Sequence, residues 1–324
     1  MEWKDVNVLV TGASGFVGAW ITRALTDEKA NVVVFLRDEV PNSPLEYFGV
    51  RARLKGIVKG DLVDYHVVER AFNEYEIEAC YHLAAQTIVG VANRAPLSTF
   101  ESNIKGTWNV LEAARNSKVL KKLVVASSDK AYGEHERLPY KEDYPLNALH
   151  PYDASKACAD ILARTYYNTY GLPVCVARCA NIYGGGDLNF SRLVPDTIRA
   201  VLHGRNPVIR SDGTPVRDYL YIKDAVSAYL TLGEKLERVK GEAFNFGSDV
   251  PVSVLELVQK ILEISGSKDL KPVIKGKGRP KGEIERQYLS SEKALKLLGW
   301  RAKYGLEEGL RETLEWYKAY FASL

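Results

Sequence analysis

Val6-Asn7-Val8-Leu9-Val10 runs directly into Thr11-Gly12-Ala13-Ser14-Gly15-Phe16-Val17-Gly18. The first five residues read as a buried strand, and Phe16–Leu25 places apolar residues at helical spacing. Between them, glycine recurs at every third position. A strand, a tight glycine turn and a helix start are what a chain needs to bring its backbone against a pyrophosphate. No Cβ blocks the approach, and the helix end supplies unpaired N–H groups and a positive dipole end. The stretch therefore predicts a dinucleotide site built from Gly12, Gly15, Phe16, Val17 and Gly18.

Outward from this turn the chain alternates. Val32–Leu36, Ile57-Val58, Ala79–Leu83, Leu123–Ala126 and Val174–Ala177 read as short, continuously apolar strands. Asp64–Phe72, Leu97–Arg115 and Pro151–Tyr170 read as the helices between them. Apolar strands separated by helices predict an α/β fold: a Rossmann-type, doubly wound parallel sheet covered on both faces. After about Asn181 the pattern changes, with Gly184-Gly185-Gly186 as a loop and helices at Ser191–His203, Lys223–Leu236 and Ser253–Ser265. The expected organisation is a cofactor domain over residues 1–180 and a smaller substrate lobe over 181–324, with some segments returning to the first domain.

Composition sets the limits of function. Lys and Arg number 44 against 41 Asp and Glu, a net charge of +3, so no strongly basic nucleic-acid surface is indicated. The 46% hydrophobic and 26% charged fractions are those of a globular protein. Cys80, Cys158, Cys175 and Cys179 form no C-x-x-C pair, so no metal site is expected. Met1-Glu2-Trp3-Lys4-Asp5 lacks an apolar signal core, and no run of about 18 apolar residues occurs, so the cytoplasm, without a membrane, is the expected compartment.

Two further places carry chemistry. At the tip of the second strand, Arg37 could neutralise a 2′-phosphate, which favours NADP, while Asp38 could bind a ribose hydroxyl, which favours NAD. Asp61-Leu62 follows the third strand and could set a carboxylate near an adenine amine. Tyr152 and Lys156 lie four apart in a helical segment and project from one face. A lysine cation beside a phenol lowers its pKa, which suits proton exchange with a sugar hydroxyl.

With Gly12, Gly15 and Gly18 upstream, Tyr152 and Lys156 resemble the extended short-chain dehydrogenase/reductase family of nucleotide-sugar epimerases and dehydratases. The resemblance runs over nearly the whole chain. His82-Leu83-Ala84-Ala85-Gln86 resembles its segment beside the cofactor and Asn103-Ile104-Lys105-Gly106-Thr107 its helix motif that helps hold the central active site, with Ser127-Ser128 where the family has its catalytic Ser or Thr. Arg178 to Gly184, then Arg217-Asp218-Tyr219 and Asp224, resemble its substrate-side motifs. The resemblance implies cofactor contacts from Leu83, Ala84, Ala85, Gln86, Asn103 and Ser127, and substrate contacts from Gln86, Ser128, Asn181, Arg192, Leu193, Val194, Arg217 and Arg279. Arg279 equally reads as a loop charge among Lys275, Lys277 and Lys281. A homodimer pairing Leu97–Arg115 and Pro151–Tyr170 is implied too.

Ser128-Asp129-Lys130 and Gly184-Gly185-Gly186-Asp187 resemble the CDP-glucose 4,6-dehydratase pattern, which also leans to NAD. The implied catalytic set is Ser128, Asp129, Lys130, Tyr152 and Lys156: Asp129 as the acid for a departing C6 hydroxyl, and Lys130 as a base or an electrostatic group. A sugar-nucleotide 4-epimerase needs only Ser128, Tyr152 and Lys156 and is the nearest alternative. A non-catalytic, cofactor-binding regulatory protein on the same fold is the alternative from another class.

Overall fold

The structure, a computed structural model, describes residues 2–276 and 284–323. Its strands in chain order are β1 (Asn7–Thr11), β2 (Asn31–Leu36), β3 (Gly56–Lys59), β4 (Ala79–His82), β5 (Lys122–Ala126), β6 (Val174–Cys179), β7 (Asn181–Tyr183), β8 (Val208–Ile209), β9 (Val216–Tyr221), β10 (Ala243–Phe246), β11 (Pro251–Ser253), β12 (Val273–Ile274) and β13 (Arg286–Gln287). Seven of them form one parallel sheet in the order β10-β6-β5-β4-β1-β2-β3. Strand direction alternates side chains between two buried faces. Val8, Val10, Val32, Val34 and Val124 pack into one apolar core, and Leu9, Val33, Phe35, Leu123 and Val125 into the other.

Chain order reverses between β1 and β4, which lie side by side. Their carboxyl ends open a crevice there, at the topological switch point where such sheets bind ligands. The second lobe rests on β9, flanked by β11 and β13 and paired with β7. Strand β10 leaves this part of the sequence and completes the edge of the large sheet against β6.

Local rules explain most element ends. Helix Pro151–Tyr170 begins with proline and stops at Gly171, which adopts φ +69°. Helix Val254–Ser265 has the full capping box, Ser253 with Glu256. One expectation needs correction. Leu97–Arg115 is not a single regular helix: Pro96–Phe100 and Gly106–Asn116 are joined by a π-turn at Glu101–Lys105. The wider turn seats Asn103, whose amide is claimed by other segments, and π-turns are commonly found at such functional sites.

Candidate active site

The glycine turn lies where β1 meets β4. A Cβ on Gly12, which has φ +74°, would stand 2.7 Å from the Ala84 nitrogen, and one on Gly18 would overlap the Gly12 carbonyl. Gly15 caps helix Phe16–Asp27 with no side chain, and the first turn holds no acidic residue. Backbone donors and the positive helix end therefore face the crevice unopposed, which fits an anionic dinucleotide. Thr11 Oγ1 accepts the amides of Leu83 and Ala84 at 3.1 and 3.2 Å and donates to His82 Nδ1 at 2.8 Å. His82 Nε2 then donates to Thr107 Oγ1 at 3.0 Å. Burial first, and Lys156 second, pull the imidazole down to about 3, so His82 is a neutral strut between β1 and the following helix.

This crevice opens into one cavity of about 1350 Å³ that reaches from the glycine turn to the second lobe. Gly12, Gly15, Phe16, Val17 and Gly18 line one end, joined by Arg37, Asp61 and Leu62 and by the Leu83–Gln86 segment. Ser127 to Lys130, Tyr152 and Lys156 line the middle. Asn181, Arg192, Leu193, Val194 and Arg217 line the far end. Two expected site residues stand apart. Arg279 lies outside the described residues. Asn103 does not line the cavity; it is buried and braces it. Its Nδ2 donates to the Gln86 carbonyl at 3.0 Å and to Ser155 Oγ at 2.8 Å, and its Oδ1 accepts the Gln86 amide at 2.7 Å. Ser155 in turn donates to the Tyr152 carbonyl at 2.7 Å, so the π-turn fixes the Tyr152 turn to the β4 crevice.

The expected catalytic residues are drier than the sequence suggests. Tyr152, Lys156 and Asp129 are 9%, 6% and 1% exposed. Burial raises the Tyr152 phenol to about 12, with Arg192 as the cation that draws it back and the Ser128 hydroxyl as its hydrogen-bond partner. Lys156, brought down to about 8 by burial, does not turn to the phenol; it donates to the Ala126 carbonyl at 2.8 Å. The spacing argument is corrected accordingly: the lysine is anchored to the β5 end, because a buried ammonium needs an acceptor and a phenol is a poorer one than a carbonyl.

Asp129 begins the short 3₁₀ turn Asp129–Tyr132 after β5. Its Oδ1 accepts the Ser128 hydroxyl at 2.9 Å, while Oδ2 is buried with no partner among the described residues. Burial pushes this carboxyl up, against the pull of Lys130, Ser128 and Arg217. A half-satisfied, protonation-prone carboxyl on a cavity wall is a general-acid arrangement. Lys130 Nζ donates to Gln287 Oε1 at 3.3 Å. Behind the turn, Arg178, fully buried, pairs with Asp160 through two hydrogen bonds of 2.7 and 2.9 Å and donates to Tyr132 Oη at 2.7 Å. Asp224, part of another motif, accepts the amides of Lys303 and Tyr304 and serves structure.

Across the cleft, Arg192 bridges both lobes, donating to Asp187 at 3.1 Å and to Thr87 Oγ1 at 3.2 Å. Arg217 donates to the carbonyls of Val216 and Glu285 at 2.8 and 3.1 Å. At the β2 tip, Arg37 pairs with Asp38 at 2.7 Å and both are exposed, so neither charge stands alone. Sequence reasoning missed Asp153, Thr87 and Tyr229, which also line the cavity. Asp153 had a signal in its position next to Tyr152; Thr87 and Tyr229 had none. Cys179 lines it as well, but burial raises its thiol to about 12, which suits an inert packing residue. No cluster among the described residues is arranged to hold a metal ion.

The comparisons agree with this geometry. The model of a family described as GDP-mannose 4,6 dehydratase matches residues 9–313. A CDP-glucose 4,6-dehydratase of Salmonella typhimurium is 30% identical over 98% of this chain and 92% of its own length. A UDP-glucose 4-epimerase of Thermotoga maritima, solved with UDP-glucose, superposes with a TM-score of 0.88 at 30% identity, covering 98% of this chain and all of that one. A dTDP-glucose 4,6-dehydratase of Bacillus anthracis in complex with NAD gives 0.85 at 29% identity, covering 97% of each chain. Sheet order, glycine turn, the buried Tyr152 and Lys156 and full-length similarity together place this chain in the GDP-mannose 4,6 dehydratase family, within the short-chain dehydrogenase/reductase-type nucleotide-sugar dehydratases and epimerases.

Proposed function

We propose that the protein is an NAD-dependent nucleotide-sugar 4,6-dehydratase, a lyase, and that CDP-glucose is its substrate. The observation that carries the reading is Asp129: a buried carboxyl in the cavity, raised by burial, with one oxygen unpartnered beside Ser128. An epimerase has no step for such an acid, whereas loss of a C6 hydroxyl needs one. The Asp129-Lys130 pair and the Salmonella relative support the cytidine nucleotide.

The glycine turn would hold the pyrophosphate of NAD, and Asp61, Leu62 and the Leu83–Gln86 segment its nucleoside halves. The Arg37–Asp38 pair leaves no lone cation for a 2′-phosphate, which supports NAD over NADP. When bound, the cofactor supplies a hydride acceptor at C4 and the same hydride for C6. Drawn down by Arg192 and by the positive charge that a bound nicotinamide would add, Tyr152 would act as phenolate and take the C4 hydroxyl proton, and Ser128 would hydrogen-bond that oxygen. The C4 ketone acidifies the C5 proton, which passes to Lys130 in its neutral-amine form, its own proton having left to solvent, as the C5–H pair forms the C5–C6 double bond. Asp129 Oδ2 gives its proton to the leaving C6 oxygen, which departs as water. Lys130 then returns a proton to C5. The product is a 4-keto-6-deoxy sugar nucleotide.

A second reading, a 4-epimerase, is favoured by the Thermotoga likeness and by the same Ser128 and Tyr152. Incubation with CDP-, dTDP-, UDP- and GDP-glucose separates the two. Loss of one water per sugar and the alkali-induced absorbance of a 4-keto-6-deoxy product are expected with CDP-glucose. A C4 epimer alone would sink the dehydratase reading, and cofactor binding without turnover of any sugar would leave the non-catalytic one.

A homodimer and a cytoplasmic setting complete the proposal. Trp108, Ile161 and Tyr170 are 43%, 52% and 57% exposed on helices Gly106–Asn116 and Pro151–Tyr170, an apolar surface suited to a second copy. Light scattering at a mass of one chain would refute the dimer. No helix among the described residues is long and apolar enough to cross a membrane.

A further inference from the structure

We propose that Gln287 is a positioning residue for Lys130 and so governs the C5 proton transfer; this rests on the dehydratase reading above. Gln287 does not line the cavity. It is fully buried behind Lys130, and its Oε1 accepts the Lys130 ammonium at 3.3 Å. Its Nε2 is buried with no partner among the described residues. A buried amide donor without a partner is costly and needs an account.

The chemistry of Lys130 supplies one. An ammonium has three donors and no acceptor, so only the carbonyl end of the amide can meet it. A neutral amine has a lone pair, and the free Nε2 is the donor that a half-turn of the amide would bring to it. Gln287 can therefore hold Lys130 in one place both before and after it takes the C5 proton. A carboxylate at this position would accept only and favour the ammonium. An apolar side chain would leave the lysine untethered.

The backbone around Gln287 is fixed from two sides. On one side β13 pairs with β9, setting Gln287 opposite Arg217. On the other, the Tyr140 amide donates to the Tyr288 carbonyl at 3.0 Å and the Ser290 amide donates to the Tyr140 carbonyl at 2.9 Å. Tyr140 Oη donates to the Gly133 carbonyl at 2.7 Å, at the end of the turn that carries Asp129 and Lys130. The segment from the second lobe is thus stapled to the turn that carries Asp129 and Lys130, and from it Gln287 reaches the Lys130 ammonium.

The test uses the holoenzyme with CDP-glucose and CDP-glucose deuterated at C5. Gln287→Leu is expected to lower kcat about 10- to 100-fold with KM within about twofold. The C5 isotope effect on kcat should grow, while the single-turnover rise of reduced-cofactor absorbance, which reports C4 oxidation, keeps its wild-type rate. Gln287→Glu should show the same pattern with a larger loss. Wild-type kcat and isotope effect in Gln287→Leu would overturn the proposal. So would a loss of kcat with slowed C4 oxidation and an unchanged isotope effect, the mark of a general structural defect. A wild-type enzyme that turns over no nucleotide sugar overturns the dehydratase reading and the C5 role with it. An active wild type with an indifferent Gln287→Leu overturns the Gln287 role alone.

Discussion

The two ends of the cavity are built on opposite principles. At the glycine turn, recognition comes from backbone: no side-chain cap, no acidic residue in the first helical turn, and glycines where a Cβ would strike Ala84 or Gly12. At the Asp129–Tyr132 turn, the cavity is walled by side chains kept dry, with Asp129, Tyr152 and Lys156 all nearly buried and Arg178 and Asp160 fully so behind them. A backbone site costs little desolvation because amides are neutral. A site of buried ionisable groups shifts their pKa values, and that shift is its chemical use.

This contrast breaks most readily at the frame of the catalytic end. Asp160→Ala leaves the Arg178 guanidinium buried and unpaired, and should destabilise the fold by about 3–5 kcal/mol, read as a fall in Tm or in denaturant midpoint. Next, Tyr152→Phe should lower kcat about 10³-fold while cofactor content and Tm hold. Asp129→Asn should lower dehydration about 10²-fold yet keep hydride removal at C4, seen as reduced-cofactor absorbance without water loss. Since burial raises the Asp129 carboxyl, its acid form dominates below that raised pKa, and the elimination rate should fall as pH rises through it. The Asn variant should lack this alkaline limb.

Changes at the backbone end should be milder and of another kind. Gly18→Ala forces a shift of the Gly12 carbonyl, at about 1–3 kcal/mol, read as weaker NAD binding with unaltered chemistry once the cofactor is saturating. Arg37→Ala should change NAD affinity by under about 1 kcal/mol, because its ion pair with Asp38 is exposed. A larger drop, or a switch in preference between NAD and NADP, would show that the β2 tip recognises by charge after all.

Legibility in sequence follows the same division. The strand starts, the capping box at Ser253, the Gly171 stop and the glycine turn are local, so adjacent residues announce them. Tyr152 and Lys156 were visible through a four-residue spacing, but their partners were not. The Lys156 ammonium bonds a carbonyl 30 residues away, and Gln287 meets Lys130 across 157 residues. The regular helix expected over Leu97–Arg115 failed because Asn103 bonds the Gln86 segment and Ser155, a tertiary demand that outweighs helical spacing.

The sequence by itself determined the alternation of strands and helices, the place of the glycine turn and the titratable side chains available to the cavity. Those follow from periodicity, from glycine's missing Cβ and from side-chain chemistry, all of which act over a few residues. Only the tertiary structure decided that β10 returns to the large sheet, that Arg192 spans the two lobes and that Asp129 lies dry with a free oxygen. Burial and long-range pairing belong to the packed molecule, and it is burial that pushes an ordinary carboxyl toward its acid form.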